Sequence, residues 1–310
     1  MSGTDDLGGL RDTAPAASPP TGSTSAETDV ASAPASQPPT SGSEAADVPV
    51  GGAAPPGVAE VAPETQVPQS RGKTKGIADI VFLIDVSGSM EPCIDALRTN
   101  IEAFAESLSR GDANNAAPVK DWRAKIVGYR DLDSAGSEGI PWIVDNPFVR
   151  DVTEIKAQLA VLRAMGGADE PESLLDALYK VATMEAVPKG SQTVDPNKWR
   201  YRSDAARVVV VFTDASFKET MGIPEAKGGS LQDVANVVMA NRIILSLFAP
   251  NFEGYDRLSQ IDKSEWEAVE YEGLSPQAAL QKFTSEPTNF RNTLKQLAAS
   301  VSRSAETVAL

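Results

Sequence analysis

Between Ile80 and Ile84 the chain reads Ile-Val-Phe-Leu-Ile without a polar residue, then turns polar at Asp85-Val86-Ser87-Gly88-Ser89. An unbroken β-branched and aromatic run of this kind reads as a strand buried on both faces, as in a parallel sheet. Arg207–Phe212 and Arg242–Phe248 have the same character. Between such runs the apolar period changes to three and four. Ile94, Leu97, Ile101, Phe104, Ala105 and Leu108 make one stripe of a helix over 91–109, with Pro92 in its first turn and Gly111 beyond its end. Further helices are expected over 152–165, from Leu174 through Val181, and over 231–240, 255–261, 275–283 and 288–301. Ser275 before Pro276 reads as an N-cap followed by proline at the first helical position. Weaker strands are expected at 123–129, 142–144 and 266–271, the second forming an edge hairpin with an extended piece at 147–149. Residues 130–133 read as a loop. This alternation predicts an α/β fold: a doubly wound, mainly parallel sheet with right-handed crossovers and one antiparallel edge strand.

The pattern starts late. The first seventy residues contain no aromatic side chain and are dominated by Ala, Pro, Ser, Thr and Gly. Such a segment buries too little apolar surface to offset the entropy of ordering, so 1–75 is expected to be a disordered acidic tail ahead of a domain over 76–304. Its Pro-rich pieces, such as Gln37-Pro38-Pro39, read as solvated linker or as docking motifs. Arg71, Lys73 and Lys75 mark the boundary.

Charge and composition narrow the function classes. The net charge is −15, and more than half of it comes from the tail, where nine acids face one base. That argues against nucleic acid as a partner. The acidic start, Met1-Ser2-Gly3-Thr4-Asp5-Asp6, has no apolar h-region behind it and does not read as a secretory signal. No run approaches the length of a membrane span. One cysteine, Cys93, allows no internal disulfide, and a cytoplasmic location is expected. With no histidine, Ser-His-Asp and Cys-His nucleophiles and histidine metal sites are excluded. Gly72-Lys73-Thr74 lacks the upstream glycine of a phosphate loop and precedes the first strand.

The candidate chemistry sits where open α/β sheets place ligands, at the C-terminal ends of the strands. Asp85, Ser87 and Ser89 bring one carboxylate and two hydroxyls together within five residues. Hard oxygens of this kind suit Mg²⁺ or Mn²⁺ and do not suit zinc or copper. Two more loops should converge there: Gly166-Gly167-Ala168-Asp169-Glu170-Pro171-Glu172 and Thr213-Asp214.

The Asp-x-Ser-x-Ser string at the end of the first strand resembles the metal-ion-dependent adhesion site of von Willebrand factor type A (VWA) domains. Val127-Gly128-Tyr129-Arg130-Asp131, the Gly-Gly-Ala-Asp-Glu-Pro-Glu loop and Phe212-Thr213-Asp214-Ala215 are similar to the branch of that family found in bacteria and beside alpha-kinase domains. The likeness covers about 79–301 and implies a Rossmann-like fold. It implies that Ser87 and Ser89 coordinate Mg²⁺ (or Mn²⁺ or Ca²⁺) directly. Asp85 and Asp214 would hold the ion partly through water, and one position would stay open for a partner's carboxylate.

The second loop departs from the commoner pattern of that family, which has a threonine there. Asp169 stands as a metal ligand or, with Glu172 three residues on and Pro171 in the first turn, as a helix cap. Ser89 and Asp214 have local alternatives too, as a cap and a turn residue. Asp131, Asp133, Glu170, Glu172 and Thr213 are candidates for the surrounding shell or for partner contact. As a ligand, Asp169 would leave the inner region at −1, tightening the metal and repelling a partner's acid.

The expected function is a non-catalytic, metal-dependent protein-interaction module. Two alternatives stand beside it. One is a Mg²⁺-dependent phosphotransferase or hydrolase of haloacid-dehalogenase type, which needs a second acid where this chain has Ser87. The other is an adaptor of a bacterial kinase, phosphatase or AAA+ ATPase stress system.

Overall fold

The computed structural model describes residues 76–111, 117–166 and 170–306. The tail expected at 1–75 lies outside them, as do 112–116 and 167–169, so Asp169 is not placed. The elements are β1 (Ile77–Asp85), α1 (Glu91–Arg110), β2 (Asp121–Tyr129), α2 (Leu132–Glu138), β3 (Ile143–Asp145), α3 (Val152–Val161), α4 (Leu174–Thr183), β4 (Ala206–Phe212), α5 (Leu231–Ala240), β5 (Ile243–Ala249), α6 (Tyr255–Ser259), β6 (Glu265–Ala268), α7 (Pro276–Ser285) and α8 (Pro287–Glu306).

One six-stranded sheet has the order β3-β2-β1-β4-β5-β6. All neighbours are parallel except β2 and β3, so the antiparallel edge strand is present. Alternate residues of β1 feed two cores. Ile80, Phe82 and Ile84 pack with Leu97 and Phe104 of α1, Leu159 of α3 and Phe290 of α8. Val81 and Leu83 pack with Leu178 of α4, Val234 of α5 and Tyr255 of α6. Both faces of the strand are covered, which is why its sequence is apolar without alternation.

The strand order reverses between β1 and β4: β2 and β3 lie to one side of β1, β4 to β6 to the other. That switch point opens a crevice at the carboxyl ends of β1 and β4.

Three local readings are corrected. The segment after Arg130 is not a loop. Residues 132–138 form α2, capped by Asp131, whose side chain accepts from the Ser134 N–H. The helix expected over 152–165 ends at Val161, and the segment after it returns to the first loop, where the Met165 N–H donates to the Val86 carbonyl at 3.0 Å. The helix start read from Asp169 and Glu172 lies further on, and Asp169 itself is outside the described residues. Helix α4 begins at Leu174 behind Ser173, so Pro171 is outside its first turn. Glu172 instead pairs through its backbone with the segment after β4, its N–H to the Ser216 carbonyl at 3.0 Å and its carbonyl from the Lys218 N–H at 2.9 Å.

At the opposite end of the sheet, Asp79 and Arg123 face each other in the β1–β2 register. Both are buried, and the guanidinium grips both carboxylate oxygens at 2.8 and 2.7 Å. The Arg200 N–H also donates to Asp79 at 2.7 Å, tying the 185–205 segment under the sheet. A bidentate, fully satisfied pair of this kind tolerates burial.

Candidate functional site

Asp85 is the last residue of β1 and is fully buried. Its Oδ1 accepts from the Ser87 N–H at 2.8 Å, so the chain turns at once. A single 3₁₀ turn over Gly88–Met90 follows, and the Ser87 and Ser89 hydroxyls stand 3.2 Å apart. Ser87 is buried and Ser89 exposed. Ser89 makes no cap hydrogen bond: Met90 is the N-cap of α1, and no side chain caps it. The hydroxyl is therefore not spent on the helix.

The described ends of the second loop border the first and third loops. The Gly88 N–H donates to the Gly166 carbonyl at 3.0 Å. On the far side, the Glu172 backbone joins Ser216 and Lys218. From β4, Thr213 donates its hydroxyl to Asp85 Oδ2 at 2.9 Å. Tyr255 of α6 donates its phenol to the Ala215 carbonyl at 2.7 Å and props this third loop from below.

Asp214 carries the distinctive signal. It is only 1% exposed, yet among the described residues neither carboxylate oxygen has a hydrogen-bond partner. A buried carboxylate without partners is expensive unless a cation completes it. Its carboxyl is raised above the ordinary range by burial, against a nearby Ser89 hydroxyl that favours the ion without reaching hydrogen-bond geometry. Asp85 is pushed up from 3.8 to about 7 by burial and by the charge of Asp214, outweighing the Ser87 and Thr213 hydrogen bonds. Cys93 packs in the core, and burial moves its thiol upward, which makes it inert.

The surrounding candidates divide. Asp131 holds Ser134 as the α2 cap, accepts from the Ser173 hydroxyl at 3.1 Å and pairs with Lys218. Asp133 also pairs with Lys218, at 2.6 Å. Glu170 is exposed and accepts from Gln277 at 2.7 Å. Glu172 is buried, with one oxygen unpartnered, and burial together with the charges of Asp85 and Asp131 pushes its carboxyl to about 8. Two residues escaped the sequence reading. Asp176 stands in the apolar run Leu174-Leu175-Asp176-Ala177-Leu178, and an acid inside such a run is itself a signal. Lys218 left no local trace, because its role comes from tertiary contact alone.

Among the described residues no three Asp, Glu or Cys side chains form a metal-holding group. The donor set at the crevice is instead two carboxylates and two hydroxyls, all hard oxygens, with one carboxylate orphaned. That set fits Mg²⁺ or Mn²⁺ better than any softer ion. A larger cavity, about 530 Å³ between β6, α8 and the end of α1, contains none of these side chains.

No family profile matches the chain. The alpha-protein kinase vwkA of Dictyostelium discoideum is 26% identical over 116 residues, 37% of this chain. The chain spans 17% of that kinase's length. Among solved structures, the VWA domain of SpRpn10 is similar with a TM-score of 0.40 and 10% identity, covering 66% of this chain and 93% of its own. Proximal thread matrix protein 1 from the mussel byssus is similar in two crystal forms, with TM-scores of 0.41 and 0.40 and 12% identity. Those matches cover 69% and 71% of this chain, and 47% and 46% of the mussel protein. Among the described residues no helix is long and apolar enough to cross a membrane.

Proposed function

We propose that this chain is a non-catalytic interaction module of VWA type that binds a divalent ion at the crevice between β1 and β4 and docks a partner protein there. The observation that carries the reading is the buried carboxylate of Asp214, without a hydrogen-bond partner among the described residues, beside Asp85, Ser87 and Ser89. Ser87, Ser89, Asp85 and Asp214 would hold Mg²⁺ or Mn²⁺, with Asp169 a further candidate. The ion would supply a positive centre open to an acid or neutral oxygen of the partner. Thr213 orients Asp85 from behind. In a low-dielectric crevice, two nearby carboxylates repel each other until a cation lies between them.

The haloacid-dehalogenase alternative gains nothing from the geometry. Position 87 offers a hydroxyl hydrogen-bonded to Ser89, where a proton carrier would be needed. The kinase activity in the relative's name is that protein's own, and this chain spans 17% of its length.

Affinity capture from a native extract, with Mg²⁺ and with chelator, tests the reading against an Asp85→Ala chain. Partners retained by Mg²⁺ and lost in both other conditions support it. Phosphatase or nucleotidase turnover that needs Mg²⁺ and vanishes in Asp85→Asn would replace it with an enzyme.

A further inference from the structure

Beside the crevice lies a second cavity of about 380 Å³, between α2, the start of α4 and the 218–222 segment. Its apolar lining comes from Leu132, Pro171 and Met221, and its charged lining from Asp133, Asp176, Glu219 and Lys218. Three acids thus face one base, and the base is already committed: Lys218 bridges Asp131 and Asp133.

Asp176 is left over. It is 1% exposed. Its Oδ1 accepts the Gly222 and Ile223 N–H groups, each at 2.8 Å, while Oδ2 has no partner among the described residues. A carboxylate oxygen held in place and unmatched at a cavity wall is a standing demand for a donor. A metal does not answer it, since Asp176 Oδ1 is already taken by two N–H groups and Asp133 by Lys218. An organic cation does: its stem packs on apolar walls and its head brings several donors of its own.

We propose that this cavity receives an arginine or lysine side chain of the partner protein, next to the metal-directed contact. The assignment rests on the interaction-module reading for the word partner, but the pocket is testable without metal. Lys218 acts as an internal competitor, because its ammonium neutralises Asp133, one of the acids that the incoming cation would meet.

The probe is N-acetyl-arginine amide, titrated into the full chain in the presence of chelator. Its neutral counterpart is N-acetyl-citrulline amide. Binding is read from the backbone amide resonances of Gly222 and Ile223. The arginine probe is expected to shift both saturably and the citrulline probe to leave them unmoved. Asp176→Asn keeps an acceptor for the two amides and should weaken the probe about fivefold, the size of one partly screened ion pair. Asp133→Asn, at an exposed position, should weaken it in the same direction. Lys218→Met should tighten it, a gain that a merely structural lysine would not give. An unshifted wild type, an equal response to citrulline, or no tightening in Lys218→Met overturns the pocket. Each of these outcomes leaves the metal reading untouched, and a failed metal titration leaves this test intact.

Discussion

Thr213 reaches across the end of the sheet and donates its hydroxyl to Asp85 Oδ2 at 2.9 Å, joining β4 to β1 where the strand order reverses. A hydrogen bond to an ionised acceptor favours the ion, and so does a bound cation. Thr213→Val keeps the shape and removes the donor. Mg²⁺ affinity should fall roughly 10- to 100-fold, matching the 1.5–3 kcal/mol of a hydrogen bond to a charged group. Calorimetric titration of the two chains checks it. Unchanged affinity would mean that Thr213 only packs.

Stability of the metal-free chain should depend on pH with a definite sign. Asp85 ordinarily titrates near 3.8 and is held at about 7 in the fold by burial and by Asp214. Glu172 and Asp214 shift the same way. Between the two values the native chain binds more protons than the unfolded one, so stability is greatest at the low end and falls as pH rises through about 4 to 7. Saturating Mg²⁺ should flatten that fall, because the ion replaces the proton as counter-charge. Urea midpoints at about pH 5 and about pH 8, with Mg²⁺ and with chelator, measure both slopes. Equal slopes would contradict metal binding among these acids.

Asp214→Asn separates the two costs. It removes a partnerless buried charge, so the metal-free chain should melt a few degrees higher, in line with about 1 kcal/mol for a small domain. The same change should abolish stabilisation by Mg²⁺. A lower melting temperature without metal would show that the carboxylate has an unseen structural partner.

Most of the sheet was legible in the sequence because β1, β4 and β5 are covered on both faces and leave apolar runs that nothing else produces. The metal candidates were legible because Asp85, Ser87 and Ser89 are close in sequence. Asp131 and Lys218 were harder. Helix α2 contains one large apolar residue, Leu132, and an internal glycine, so no period marks it. It is held by the Asp131 cap and by the ion pairs of Lys218, which lies far along the chain. Glu172 misled for the opposite reason. Its spacing from Asp169 suits a capping box, but its backbone is claimed by Ser216 and Lys218.

Gly254 sits at φ +103°, and an added Cβ would lie 2.5 Å from Phe217 Cζ. Phe217 packs edge-on against Tyr255, which props the Asp214 loop. Gly254→Ala should therefore destabilise by about 1–3 kcal/mol through the positive φ and the clash. It should also weaken Mg²⁺ binding, since the loop loses its prop. Thermal melts and a metal titration on the same chain read both effects. Loss of stability alone would uncouple Tyr255 from the site.

Asp79→Ala provides the contrast. It leaves Arg123 buried without its carboxylate and should cost about 3–5 kcal/mol. Asp79 lies at the far end of β1 from Asp85, so Mg²⁺ affinity of the folded fraction should stay unchanged. A shift in affinity would mean that the two ends of the sheet are coupled.

The most direct measurement is calorimetric titration of the chelator-stripped chain with Mg²⁺ and Mn²⁺. A single saturable site is expected, weakened at least tenfold by Asp214→Ala and by Ser87→Ala and unaffected by Asp79→Ala. No saturable binding at ion concentrations on the order of several millimolar, beyond the weak end of protein sites for hard cations, would contradict the metal centre outright.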